Sequence, residues 1–148
     1  MAIPGATEYQ ALKAFFRAFS ARFDNLAQIA PEHHPIFVLE QMEKASPSHA
    51  RQGLRMALND CVEQSLGWAP DRVAEIDRDF LAQGLLSLSQ VRLQYSRKYA
   101  SIVKRGRLRN NEELFLVQGI LADQSLSISA QERAQLETMS HAFTEKAL

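Results

Sequence analysis

Residues 87–121 read SLSQVRLQYSRKYASIVKRGRLRNNEELFLVQGIL, and the punctuation of this stretch is helical throughout. Ser87 followed by Gln90 has the capping-box spacing, in which hydroxyl and amide satisfy each other's backbone N–H groups, and Asn110 with Glu113 repeats it. Between these starts, Leu88, Val91, Tyr95, Tyr99, Ile102 and Val103 share one arc at about 100° per residue. Gly106 stands where a helix accepts a left-handed C′ residue. The stretch therefore predicts a helix over 87–105, a glycine-containing loop, and a second helix through Leu114, Phe115, Val117 and Leu121 that ends near Asp123.

The same grammar extends in both directions. Ser129 with Glu132 opens a last helix whose apolar stripe is Leu136, Met139 and Phe143. Upstream, residues 71–83 read as a helix with Val73, Ile76, Phe80 and Leu81 turned inward, ended or bent by Gly84. Ser46 and Pro47 are N-cap and N1 of a helix to about Leu66, with Gly67 as its C′ residue, and Pro35 opens a short helix over 35–45. At the N-terminal end, Thr7 with Gln10 starts a helix over 8–29, where Tyr9, Leu12, Phe16, Phe19, Phe23 and Leu26 alternate at spacings of three and four. That seam lasts about three heptads and suits a core stripe better than a free-standing coiled coil. No alternating strand pattern and no hairpin dipeptide appears, so the fold expected is all-α, a bundle of six to seven helices in a single domain, 1–148.

Composition sets outer limits. A chain of 148 residues buries roughly 70% of its unfolded surface and needs no staple. Its single cysteine, Cys61, excludes an internal disulfide and falls on the apolar face of its helix, as an inert thiol would. The opening MAIPGATEYQ has neither basic leader nor apolar core, and no apolar run reaches the roughly 20 residues a bilayer requires. A cytoplasmic protein is expected. Formal net charge is zero, which offers little electrostatic resistance to self-association, so a homodimer is one partner to consider.

Charge is nonetheless uneven. Residues 92–109 hold seven of the seventeen basic residues and no acid. On the wheel Arg97 and Lys104 point away from Lys98 and Arg105, so the cations form no stripe. They converge at the helix end, with Lys104, Arg105, Arg107 and Arg109 together. Cations there complement the helix dipole, and Glu112 and Glu113 just beyond offer local pairing, yet four on one short loop exceed what capping requires. Arg97, Lys98, Lys104, Arg105, Arg107 and Arg109 are therefore the candidate anion- or nucleic-acid-binding residues. Major-groove reading by the next helix is rejected, because that helix begins with two acids and is largely apolar. Tyr95 and Tyr99, which stacking on bases would need, lie on the inward arc.

Arg92 falls inside the apolar arc and must reach an acid or solvent, with Asp60 and Glu63 as candidates for a buried ion pair. His33 and His34 are adjacent, lie between prolines and have no cysteine nearby, so no metal site is expected. Asp71, Glu75, Asp77 and Asp79, with Arg72 and Arg78 between them, read as a solvated helix face. Phosphate loops, nucleophile elbows and paired metal-binding helix motifs are all absent, and no cofactor is expected. Two interaction readings remain. One is a helical regulatory protein that contacts a protein partner or itself, with Phe16, Phe19 and Phe23 as the seam. The other is binding of nucleic acid or an acidic partner through the 97–109 segment. An enzyme ranks last and would need a concave site with converging ionisable groups, for instance around Arg92.

Overall fold

The computed structural model describes residues 4–122 and 128–147. Among these there are eight α-helices and no strand, which upholds the all-α class with one helix more than expected. The chain divides into two compact units, Met1–Cys61 and Val62–Leu148. No helix among the described residues is long and apolar enough to cross a membrane.

The first unit holds α1 (Pro4–Phe23), two single 3-10 turns, α2 (Pro35–Ala45) and most of α3 (Pro47–Gln64). Helix α1 starts ahead of Thr7 and stops at Phe23, well short of Ile29. The reason is local. The Ser20 hydroxyl donates to Asp24 at 2.8 Å, and the Leu26 N–H turns back to the Asp24 carbonyl at 2.9 Å, so Asp24 and Asn25 offer the backbone a turn instead of a ladder. Phe15, Phe16 and Phe19 are buried, with Phe15 and Phe19 stacked at 5.9 Å. Helix α2 is tied to α1 by Glu43, which accepts from the Tyr9 hydroxyl and from Lys13 Nζ at 3.0 Å. His34 Nε2 lies 3.0 and 2.9 Å from the carbonyls of Leu26 and Ile29, so it is the protonated ring nitrogen and clamps the turns before α2.

The second unit contains α4 (Pro70–Ala82), α5 (Leu88–Tyr95), α6 (Arg97–Arg105), α7 (Asn111–Ala122) and α8 (Ala130–Ala147). Helix α7 is apolar nearly all round, as a helix enclosed by others must be, and it touches α4, α5, α6 and α8. The expected helix over 87–105 is two helices. Ser96 turns extended (φ −82°, ψ 115°) and its hydroxyl accepts from the Tyr99 N–H at 2.9 Å, capping α6 afresh. The caps at Ser87, Asn110 and Ser129 form where expected, and Gly84 and Gly106 take φ of 76° and 80°. Gly67 does not. The end of α3 is tightened instead by Ser65, whose N–H and hydroxyl both reach the Val62 carbonyl, at 3.1 and 2.8 Å. The expected end of the sixth helix near Asp123 lies outside the described residues.

Candidate functional site

All candidates in the 92–109 stretch lie in the second unit, and five of the seven cations there fall into three groups. Arg92 is the largest fully buried side chain, with no exposed surface. Asp60 and Glu63, the acids expected to pair with it, are both exposed. Arg92 Nη2 donates to the Ser65 carbonyl at 2.6 Å and its Nε to the Ser65 hydroxyl at 3.2 Å, which satisfies the freed end of α3. The acid whose charge acts on it is Asp77, and this corrects the reading of Asp77 as part of a solvated face. Asp77 is 6% exposed and stands with Val73, Ile76 and Phe80 on the inward side of α4, whereas Leu81 is turned out and 42% exposed. The Asp77 carboxylate accepts from the Ser89 N–H at 3.0 Å and the Ser89 hydroxyl at 2.6 Å. Burial pulls the Arg92 guanidinium down to about 10 while Asp77 opposes the shift, so the side chain stays charged at neutral pH.

Arg105 and Lys98 form the second group, and both face Glu113. This carboxylate is 1% exposed and sits at the first turn of α7, where the helix dipole favours an anion. It accepts from Arg105 Nη1 at 2.8 Å and Nη2 at 3.2 Å, and from the Arg109 backbone N–H at 2.7 Å, with Lys98 Nζ at 3.9 Å. Burial alone would raise its pKa. The hydrogen bonds from Arg105 and Arg109, with the charges of Arg105 and Lys98, outweigh that and hold it below the usual range. Glu113 thus fixes the shape of the loop after α6.

Arg107 and Arg109 are the third group. Their side chains are exposed and make no ion pair or hydrogen bond among the described residues. The loop that carries them is pinned at Leu108, which is buried with Tyr99, Leu116, Leu136 and Met139. Helix α8 is fixed opposite. Its Glu132 accepts from the Tyr99 hydroxyl, and its Arg133 donates to the Leu121 carbonyl at 3.1 Å. Loop and helix enclose a cleft of about 280 Å³. Leu108, Met139, Ala142 and Phe143 give it an apolar floor, Arg107, Arg109 and Lys146 a cationic rim, and Gly106 and Thr138 complete it. No acid lines it among the described residues. Lys146 escaped the sequence reading, although its spacing from Phe143 on the stripe of the last helix was a usable signal.

The remaining candidates lie elsewhere. Lys104 is exposed on the last turn of α6, and Arg97 is exposed at its start with contacts of its own. Phe16 and Phe19 are buried in the first unit and Phe23 is half-buried, 4.7 Å from Phe19. Large exposed apolar side chains are instead Ile29, Phe37, Val38, Met56 and Leu81. Cys61 is buried, which pushes its thiol up to about 12. A second cleft, of about 240 Å³, lies in the first unit between Tyr9, Gln10, Glu43, Pro47, Ala50 and Arg51. Its ionisable pair is locked. Burial and Glu43 hold the Tyr9 phenol protonated, while Tyr9 and Lys13 hold Glu43 ionised against its burial, so neither titrates near neutrality. Among the described residues no cluster of His, Cys, Asp and Glu could hold a metal ion.

The chain matches no protein-family model, no curated protein and no solved structure.

Proposed function

We propose that this chain is a helical interaction protein that binds an acidic protein partner at the rim formed by Arg107, Arg109 and Lys146. The observation that carries the reading is the third group of cations. Arg105 is paired with Glu113 and Lys98 lies beside the same carboxylate, yet Arg107 and Arg109 stay in solvent on a loop that Glu113 and Leu108 hold in place. Exposed cations without internal partners raise the local concentration of anions and speed their capture.

A protein partner is favoured over nucleic acid for two reasons. The cations form a compact rim around an apolar floor instead of a track along a backbone. Tyr99, one of the two aromatics available for stacking, is buried with its hydroxyl on Glu132.

The test is fluorescence anisotropy of labelled oligoglutamate, beside labelled mixed-sequence duplex DNA, from low to high salt. Oligoglutamate binding that weakens with salt and is lost in Arg107→Glu/Arg109→Glu supports the proposal. Binding unchanged in that variant refutes it. Preference for DNA, with affinity falling at a log-log slope of about −0.9 per phosphate neutralised, transfers the function to nucleic acid. Light scattering on the same samples reads self-association directly.

A further inference from the structure

An anion alone would not need the floor of this cleft. Leu108 and Met139 are buried and Phe143 is half-buried, and all three line the same cleft as Arg107, Arg109, Lys146 and the exposed Ala142. The positions of Met139, Ala142, Phe143 and Lys146 at spacings of three and four make this one face of α8. A volume of about 280 Å³ is more room than a bare carboxylate needs. Apolar floor and cationic rim together specify a ligand with apolar and acidic groups a few ångströms apart.

We infer that the cleft between the 106–109 loop and α8 takes a peptide segment in which one apolar side chain is flanked on both sides by acidic residues. The apolar side chain enters between Leu108 and Phe143, and the acids meet Arg107 and Arg109 on one lip and Lys146 on the other. The rim supplies steering and register, and the floor supplies affinity and selectivity for an apolar anchor. This inference rests on the acidic-partner reading above, and it adds that acidity by itself is not sufficient for tight binding.

The experiment uses the full chain and three labelled peptides. The first has a single leucine flanked by two glutamates on each side. In the second, glycine replaces the leucine, and in the third, glutamines replace the glutamates. Anisotropy titration is expected to give the leucine peptide about tenfold or more tighter binding than the glycine peptide, as burial of one leucine side chain implies. The glutamine peptide should bind far more weakly than either. Ala142→Trp, at an exposed position, fills the space above the floor. It should erase the difference between the leucine and glycine peptides while keeping the weak binding of both, and circular dichroism checks its fold. Equal affinity for leucine and glycine peptides overturns the inference and leaves the acidic-partner reading standing. Loss of all acidic-peptide binding in wild type, or its survival in Arg107→Glu/Arg109→Glu, removes both.

Discussion

Arg92 and Arg107 come from the same acid-free run of sequence and have opposite fates. Arg92 has no exposed surface, ends on Ser65 and lies in the field of Asp77, while Arg107 stands in solvent with no partner among the described residues. Charge density along a chain therefore says little about which cations are available to a ligand. What decides availability is whether the fold brings an acceptor to the guanidinium, and Ser65 and Glu113 do this for Arg92 and Arg105, but among the described residues nothing does it for Arg107. The contrast is also energetic. A buried cation stripped of its partners costs several kcal/mol, and an exposed one costs almost nothing to remove.

The contrast is tested most severely at Arg92. Arg92→Ala removes the donors on Ser65 and the countercharge of Asp77 and opens a cavity, so urea unfolding should show a loss of about 3–5 kcal/mol. Arg92→Met restores most of the volume without the hydrogen bonds and should recover part of that loss. If both variants unfold with the wild-type midpoint, Arg92 is not the anchor of the α3 end.

Glu113 comes next. Glu113→Ala leaves the Arg109 N–H without its acceptor and should destabilise the chain by about 1–3 kcal/mol. Its folded pKa lies below the ordinary 4.5, so the carboxylate contributes stability that is fully present above that value and is lost as pH falls through the folded pKa. Denaturation midpoints measured from pH 7 down to 3 should fall below about 4.5 in wild type, with a shallower fall in Glu113→Ala.

The caps at Ser87, Asn110 and Ser129 and the glycines at 84 and 106 were readable because each is a local device with its own hydrogen bond or backbone angle. The break at Ser96 was not, because the apolar arc passes through it unbroken and Tyr99 cannot return the second bond that a Glu or Gln would give. Asp77 was hidden among interleaved charges, although its spacing from Val73 and Phe80 marks the inward face. The Ser65 partner of Arg92 and the approach of α8 to the basic loop are long-range facts. A sequence gives Met139 and Phe143 a common stripe but does not say that Arg107 and Arg109 stand across from it.

Gly119 offers a finer probe of the buried arginine. Gly to Ala inside a helix ordinarily gains about 1 kcal/mol. Here the added methyl would lie 3.0 Å from Arg92 Nη1 and 3.5 Å from Val73 Cγ1. Because Ser65 holds the guanidinium, it has little freedom to retreat, and Nη1 already lacks a hydrogen-bond partner among the described residues. Gly119→Ala should therefore be destabilising by about 1 kcal/mol in wild type. In an Arg92→Ala background the steric conflict is gone and the helix-propensity gain returns, so the sign should reverse. A double-mutant cycle that gives the same sign in both backgrounds breaks the link between Gly119 and Arg92.

The smallest effect on stability belongs to the rim and is the counterpart of the largest. Arg107→Ala and Lys146→Ala remove exposed side chains with no partner among the described residues, so thermal or urea midpoints should stay within about 0.5 kcal/mol of wild type. Under the acidic-partner reading both should still weaken oligoglutamate binding at low salt. A residue that matters for binding and not for folding is one the fold has left available, and Arg105→Ala is the control that separates the two. Its loss disturbs Glu113 and hence the loop, so it should lower stability as well as binding. If Arg107→Ala instead lowers the midpoint as much as Arg105→Ala does, the loop cations act as one structural cluster, and the distinction between the enclosed and the open arginines collapses.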